Sequence, residues 1–265
     1  MSYQILSLKV KDISLRYVYI KGGRRTLLVI PGLNVRNVSE NAQLLEIAFK
    51  QFARDYSIYI FDRRLNMPDD YSIEDMSYDL SLAADALSLH DIHIISNSQG
   101  GMIAQTLALS RPELIKKMLL CATTCRVSAA SRALFEKWSQ LAISGDIALM
   151  YRCLYSDWYS PDFSSSISSF IDEEIRKTTA EDLRRFIICT RSMYNFDNSK
   201  KLSQIMIPAL VIGSRKDKVF SSQDSEELAY RINGDIYIYD EYSHCVIDED
   251  PHFHERTLKF FDTEE

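Results

Sequence analysis

The stretch HIISNSQGGMIAQTLALS, residues 93–110, decides the fold of this chain. Its apolar start ends in a cluster of small and polar residues around Ser98, and a helix-period pattern follows at once. In a nucleophile elbow, a strained serine occupies a tight turn between a strand and a helix, and the positions two before and two after it must be small. Ser96 and Gly100 occupy those positions. The stretch therefore predicts a nucleophilic Ser98, with an ordinary polar turn as the alternative.

Composition narrows the classes of function. The 265 residues are 46% hydrophobic and 26% charged, which is typical of a soluble globular protein. The net charge of −6 and the lack of a basic stripe argue against a nucleic-acid partner. No apolar run approaches the ~18–20 residues of a membrane span. Five irregularly spaced cysteines and no export signal predict a reduced, cytoplasmic protein without a disulfide framework.

Strand-length apolar runs alternate with helix-period segments on both sides of the elbow. The run LLVI at 27–30 precedes an amphipathic pattern at 39–56, and PALVIGS at 208–214 precedes the helical pattern at 221–232. This alternation predicts a parallel sheet with helices on both faces. Between 126 and 202 only helical patterns appear, which predicts a helical cap over 126–202 and a discontinuous core at 1–125 and 203–265.

The base that a serine nucleophile requires is predicted to be His244. A serine hydroxyl needs a base, and the base needs an orienting acid, in the chain order serine, acid, histidine. His90 and His93 precede the serine, so their order is wrong. His252 and His254 fall at the start of the last helical pattern and are expected to be solvated. His244 follows the last strand, in the loop position from which a base reaches the end of the sheet.

The orienting acid is predicted to be Asp217. It follows the strand that ends at Ile212, whereas the residues after the strand ending near Cys121 include no carboxylate. The alternative is a solvated turn aspartate, because lysines flank Asp217 on both sides. A carboxylate at this edge would fix the tautomer of the base.

The oxyanion hole needs two preorganised backbone N–H donors. One should be Gln99, the residue after the nucleophile. The other should be Leu33 in the loop PGLN, where Gly32 permits a tight turn and Pro31 has no N–H.

Taken together, these segments resemble the α/β-hydrolase superfamily over nearly the whole chain. The resemblance runs through LLVIPG, FDRR, the elbow, PALVIGSRKDKV and YSHCVIDEDP. It implies an α/β-hydrolase fold: an eight-stranded, mostly parallel sheet flanked by helices, with a helical cap after the sixth strand. It also implies Ser98, Asp217 and His244 as nucleophile, acid and base. The chain looks most like the small bacterial hydrolases that include esterases, enol-lactonases, carbon–carbon bond hydrolases and cofactor-free haloperoxidases.

Two motifs depart from the usual pattern of that superfamily. Pro31-Gly32 stands where members often carry His-Gly, and this change is expected to alter the oxyanion loop without removing the Leu33 donor. Leu65 follows Asp62-Arg63-Arg64 where many members have Asp-x-Arg-Gly, so the rim of the site is expected to differ.

The leading hypothesis is a serine hydrolase that cleaves a carboxylic ester, thioester or lactone through an acyl-enzyme. Two alternatives remain open: a carbon–carbon bond hydrolase or cofactor-free haloperoxidase or perhydrolase with the same triad, and a non-catalytic ligand-binding protein on the same scaffold. The expected partner is a small acyl substrate, with no metal, organic cofactor, nucleic acid or membrane; a homodimer is left open. Aromatic residues of the cap should pack it or line an apolar pocket. Arg126, Arg152 and Arg191 are expected at the surface, with a contact to a substrate carboxylate as the alternative.

Overall fold

The computed structural model describes residues 2–263, and its centre is one eight-stranded sheet. The strand order is β1-β2-β4-β3-β5-β6-β7-β8. Strand β2 pairs antiparallel with both of its neighbours, and the pairs from β4 to β8 are parallel. The prediction of an eight-stranded, mostly parallel sheet is confirmed. The strands are β1 Tyr3–Val10, β2 Ile13–Ile20, β3 Arg25–Ile30, β4 Tyr56–Phe61, β5 Ile92–Asn97, β6 Ile115–Cys121, β7 Ala209–Ser214 and β8 Asp235–Tyr239.

Helices connect the strands and cover the sheet. Short 3₁₀ turns occur at Val38–Asn41, Lys50–Arg54, Pro112–Leu114 and Leu202–Gln204. The α-helices are α1 Ala42–Phe49, α2 Ile73–Ala86, α3 Gln99–Ser110, α4 Ala129–Ser144, α5 Ile147–Trp158, α6 Pro161–Ser166, α7 Ser168–Lys177, α8 Ala180–Ser192, α9 Ser222–Ile232, α10 Val246–Glu249 and α11 Phe253–Asp262. No helix among residues 2–263 has both the length and the apolar character needed to cross a membrane.

The core lies in two layers, one on each face of the sheet. Successive residues of a central strand enter different layers: Ile94 belongs to one hydrophobic cluster and Ile95 to the other, and Leu120 and Leu119 divide in the same way. This division follows from the two-residue period of a strand. Central parallel strands are therefore apolar on both faces, which explains why their sequences read as continuous apolar runs.

Local signals set several helix starts. Ser72 and Asp75 form a capping box at the start of α2, with each side chain accepting a hydrogen bond from the other residue's backbone N–H. Ser221 and Asp224 do the same at the start of α9. These boxes satisfy N–H groups that a helix would otherwise leave unpaired.

Five helices, α4 to α8, occupy the chain between β6 and β7. The two ends of this insertion meet each other: the Asn198 N–H donates to the Cys125 carbonyl at 2.9 Å, and the Val127 N–H donates to the Phe196 carbonyl at 3.0 Å. We call the five helices the cap. The domain division into 126–202 and a core at 1–125 and 203–265 stays a prediction, and its positions 1, 264 and 265 lie outside the described residues.

Candidate active site

Ser98 lies between β5 and α3 in a strained conformation. Its φ of 53° and ψ of −120° lie outside the regions that residues with a side chain ordinarily occupy. Main-chain contacts hold it there: its N–H donates to the Cys121 carbonyl at 2.9 Å, and its own carbonyl accepts from the Thr123 hydroxyl at 2.8 Å. The surrounding loops therefore determine the geometry of this turn.

The two small residues of the elbow, Gly100 and Ser96, fit their positions for different reasons. A Cβ added to Gly100 would lie 2.0 Å from the Ile30 carbonyl oxygen, so this position admits only glycine. Ser96 is fully buried, and its hydroxyl donates to the Leu119 carbonyl at 2.8 Å. The serine found where glycine is usual is accommodated because its one polar group has a partner.

His244 and Asp217 form a buried pair at the same end of the sheet. His244 Nδ1 lies 2.8 Å from Asp217 Oδ2, and the two side chains are only 3% and 1% exposed. Asp217 Oδ1 accepts from the backbone N–H groups of Val219 at 2.7 Å and Phe220 at 3.0 Å. A carboxylate fixed in this way orients the imidazole with Nδ1–H toward Asp217, which leaves Nε2 as the acceptor.

Ser98 and His244 line one cavity of about 190 Å³. The hydrogen bonds of residues 2–263 include the Asp217–His244 contact but none between the Ser98 hydroxyl and His244. Catalytic hydrogen bonds are often long in the absence of substrate. The structure thus brings the predicted nucleophile and base to one cavity and joins the base to the predicted acid.

The two predicted oxyanion donors lie beside the nucleophile. Leu33 lines the cavity, and a Cβ on its neighbour Gly32 would lie 3.2 Å from the Ser98 Cβ, so this loop approaches the elbow closely. Gln99 begins helix α3, where the first N–H groups have no partner within the helix. Neither N–H is a donor in the loop and turn hydrogen bonds of residues 2–263. Both N–H groups are therefore available for the oxyanion role that the sequence predicts.

Arg63 joins these two parts of the site and was not identified from the sequence. One of its terminal nitrogens donates to the Pro31 carbonyl at 2.9 Å and to Gln99 Oε1 at 2.6 Å. The Gln99 amide in turn donates to the Cys189 carbonyl on α8 at 2.6 Å. This chain of contacts fixes the oxyanion loop, the residue after the nucleophile and the cap relative to one another. The feature of the sequence that could have identified Arg63 is the motif FDRR.

Asp62 extends the same buried network into the cap. Its Oδ2 accepts from the Val38 N–H at 2.9 Å and lies 3.3 Å from a terminal nitrogen of Arg185 on α8. Its Oδ1 accepts from the Arg63 N–H at 2.7 Å. Helix α8 is therefore attached to the core through buried charges as well as through apolar packing.

The cavity has two unlike walls. We call Gly32, Leu33, Ser98 and His244 the sheet-edge wall, and Trp138, Tyr155, Trp158 and Tyr159 the cap wall. In the cap wall, Trp138 meets Trp158 edge-on with ring centroids 5.9 Å apart, and Tyr155 stacks on Tyr159 with centroids 5.4 Å apart. The expected apolar pocket beneath the cap is thus lined by packed aromatic rings.

A larger groove continues from this cavity toward solvent. It has a volume of about 780 Å³, and Tyr155, Tyr159 and Asp248 line both spaces. Asp248 lies on the short helix α10 and was not identified from the sequence; its spacing of four residues from His244 was the only signal. The Tyr159 hydroxyl donates to Asp248 Oδ2 at 2.7 Å.

The remaining histidines differ in their surroundings. His252 is exposed, as expected, but the expectation of a solvated His254 is wrong. His254 is half-buried, with its ring 5.3 Å from that of Phe49 and 5.1 Å from that of Phe52, because its helix packs this face on the core. Burial lowers its pKa to about 4. His93, inside β5, also has its pKa lowered to about 4 by burial.

Other candidate ligand-binding residues lie away from the cavity. Arg126, Arg152 and Arg191 are exposed, and none of them lines it. Within residues 2–263, no group of three or more histidine, cysteine or acidic side chains is arranged to hold a metal ion.

Comparison with known proteins places this geometry in context. The model of the family described as serine aminopeptidase, S33, matches residues 68–251. A protein of Pseudomonas syringae pv. syringae, provisionally named carbamate hydrolase RutD, is 26% identical over 78% of this chain and 84% of its own length. The 3-oxoadipate enol-lactonase 2 of Acinetobacter baylyi is 22% identical over 85% and 84%. The crystal structure of MGS-M2, an α/β-hydrolase enzyme from a Medee basin deep-sea metagenome library, superposes with a TM-score of 0.89 at 18% identity and covers 98% of each chain.

Proposed function

Because the chain belongs to the serine aminopeptidase S33 family and is an α/β-hydrolase enzyme, we propose that it cleaves carboxylic esters, thioesters or lactones through an acyl-enzyme. The observation that carries the proposal is the buried Asp217–His244 pair in one cavity with the strained Ser98. A strained backbone costs free energy, and strained residues cluster at functional sites. A histidine paired with a buried carboxylate in a cavity is likewise typical of a functional site.

The proposed reaction begins with attack on the substrate carbonyl carbon by the Ser98 hydroxyl oxygen. His244 Nε2 takes the hydroxyl proton, and Asp217 stabilises the imidazolium that forms. The carbonyl oxygen gains the negative charge and accepts hydrogen bonds from the N–H groups of Leu33 and Gln99. Arg63 acts as a positioning residue, because it binds the Pro31 carbonyl and the Gln99 side chain on either side of that oxyanion.

Breakdown of the tetrahedral intermediate releases the leaving group and leaves the acyl group on Ser98. His244 gives its proton to the departing oxygen or sulfur. His244 then takes a proton from water, which attacks the acyl carbon, and returns that proton to Ser98 as the acid leaves. The sequence of steps needs only groups of this chain and water.

The comparisons guide the choice of test substrates. The names of the relatives refer to a carbamate and to an enol-lactone. All these compounds have a carbonyl carbon that carries a leaving group, so one triad can attack each of them. A substrate panel should therefore hold nitrophenyl esters of increasing acyl length, a thioester, a lactone and a carbamate.

The deciding experiment compares wild type with Ser98→Ala on that panel. Loss of the nucleophile should lower kcat by on the order of 10⁴–10⁶ on every substrate that wild type turns over. Ser110→Ala, at the exposed end of α3, is the matched control and should retain wild-type kcat. Turnover by Ser98→Ala at the wild-type rate would refute the proposed mechanism.

A cytoplasmic location belongs to the same proposal. The structure has its cysteines as free thiols: Cys121, Cys125, Cys153, Cys189 and Cys245. Free thiols are typical of a reducing compartment. Fractionation of the source cells should place the protein in the soluble cytoplasmic fraction, and recovery from the periplasm or medium would contradict this location.

A further inference from the structure

The lining of the catalytic cavity contains a single acidic side chain. Among the lining residues that the structure describes, Asp248 is the one aspartate or glutamate, and no lysine or arginine accompanies it. The others are apolar, aromatic or neutral polar groups, together with His244. A carboxyl group that faces aromatic and apolar side chains lacks the counter-charge that an ion pair would supply.

Asp248 has one side-chain partner, and that partner is neutral. The Tyr159 hydroxyl donates to Oδ2 at 2.7 Å, and no Lys, Arg or His side chain within residues 2–263 forms an ion pair with this carboxylate. The residue is exposed to solvent and lines both the cavity and the groove. Partial desolvation by the neighbouring residues raises the pKa of Asp248, and the hydrogen bond from Tyr159 opposes that rise.

Other charged side chains that line the adjoining groove form ion pairs or hydrogen bonds with groups of the protein. Arg36 forms an ion pair with Glu174 at 2.6 Å. Asp250 accepts a hydrogen bond from the Tyr239 hydroxyl, and its other oxygen accepts from a backbone N–H at 2.9 Å. Asp248 differs from Arg36 and Glu174 because it has no counter-charge among the described residues, and it differs from Asp250 because it also lines the cavity that contains Ser98.

Aromatic rings surround this carboxylate. Tyr155, Trp158 and Tyr159 line the same cavity, and Phe163 stacks on Tyr159 with ring centroids 5.0 Å apart. A carboxylate beside aromatic rings is the combination that binds ammonium groups, through the ion pair and through the negative faces of the rings. A substrate carboxylate would instead meet a like charge, and the exposed arginines considered above lie outside the cavity.

We propose that Asp248 selects substrates that carry a positively charged ammonium group, and that it binds this group beside the bond that Ser98 attacks. The proposal rests on the proposed serine-hydrolase function and names the substrate class of that site. The ammonium group supplies the counter-charge that the protein does not, while the aromatic rings enclose its carbon substituents.

The test uses pairs of esters that differ in charge but not in shape. Choline butyrate and 3,3-dimethylbutyl butyrate place the difference on the alcohol side, and the nitrophenyl esters of aminocaproate and heptanoate place it on the acyl side. For at least one pair, wild type should show a kcat/KM that is about 10-fold or more higher for the cationic ester. Asp248→Asn should reduce that ratio to near one, and Asp248→Glu, which restores the charge, should recover most of it.

Two controls separate this proposal from others. Glu241→Gln removes one negative charge from an exposed position outside the cavity and should leave the ratio unchanged. Calorimetry with Ser98→Ala protein measures the binding of choline butyrate and its neutral isostere without turnover. A wild type without preference for either cationic ester, or an unchanged ratio in Asp248→Asn, overturns the role of Asp248. Preferential binding of choline butyrate without hydrolysis of any ester would support Asp248 and refute the hydrolase proposal.

Discussion

On the sheet-edge wall of the cavity, main-chain hydrogen bonds hold the groups that we predict to react. The Ser98 N–H donates to the Cys121 carbonyl, and Asp217, the buried partner of His244, accepts from two backbone N–H groups. On the cap wall, aromatic rings such as Tyr155 and Tyr159 are held by packing on one another. Main-chain hydrogen bonds fix direction and distance, whereas packed rings tolerate a change of shape at modest cost. We infer that the sheet-edge wall determines the reaction and the cap wall the substrate.

After loss of the nucleophile, the largest expected effect comes from removing the charge of the carboxylate that is paired with His244. Asp217→Asn keeps the shape of the side chain but no longer fixes the correct tautomer of His244, so kcat should fall by on the order of 10⁴. Steady-state kinetics on the preferred ester measure this loss. Asp240→Asn, which changes an exposed aspartate in the loop after β8, is the control and should keep wild-type kcat. A loss below tenfold in Asp217→Asn would contradict the role of the acid.

A second comparison adds the same methyl group to the elbow and to the cap. Gly100→Ala on the elbow places a Cβ 2.0 Å from the Ile30 carbonyl oxygen and should lower the free energy of unfolding by about 3 kcal/mol or more. Gly145→Ala, between the cap helices α4 and α5, meets no atom within 4 Å but keeps a φ of 74°, so it should cost about 1–2 kcal/mol. Urea denaturation gives both values. The reverse order would show that the elbow is not tightly packed.

Substitutions in the cap wall should change the selectivity among substrates more than they change kcat. Tyr155→Leu removes a ring that lines the cavity, and the ratio of kcat/KM between long and short acyl groups should change by about tenfold. The nitrophenyl ester series measures this ratio. Tyr230→Leu, at an exposed position on α9, is the control. An unchanged chain-length profile in Tyr155→Leu would show that this ring does not contact substrate.

The smallest effect is expected from a comparison of the buried His244, which has a carboxylate partner, with the half-buried His254, whose Nδ1 has none among the described residues. His244 pairs with Asp217, whereas within residues 2–263 the Nδ1 of His254 has no hydrogen-bond partner. Burial lowers the pKa of His254 to about 4, so between pH 6.5 and 4 the unfolded chain binds more protons than the folded one. Stability therefore falls as the pH is lowered through this window.

His254→Phe keeps an aromatic ring at this position and removes the titrating group. The loss in free energy of unfolding between pH 7 and pH 4 should be smaller than in wild type by about 1–2 kcal/mol. Urea denaturation at both pH values measures it, with His252→Gln as the control from the same segment. An equal or larger loss in His254→Phe would mean that His254 is not buried in its neutral form.

Features that depend on local pattern could be predicted from the sequence. The alternation of strands and helices, and the small residues around Ser98, follow from steric rules that act over a few residues. The chain order of Ser98, Asp217 and His244 places each of them after a different strand at one edge of the sheet. Their catalytic roles stay predictions until the variants are measured.

Features that depend on side-chain placement across the fold could not be predicted. Arg63 contacts Gln99 across 36 residues, and Tyr159 contacts Asp248 across 89. Neither pair leaves a periodic signal, because the partners meet only after the sheet and the cap have packed. The expectation that His254 is solvated is wrong for a related reason: a position at the start of the last helix does not reveal that this side chain packs on Phe49 and Phe52.

Intact-protein mass spectrometry after reaction with a fluorophosphonate probe tests most directly whether Ser98 is the nucleophile. Wild type should gain the mass of one phosphonyl group, peptide mapping should assign it to Ser98, and Ser98→Ala should stay unlabelled. A wild type that hydrolyses esters without being labelled, or equal labelling of Ser98→Ala, would contradict this role of Ser98.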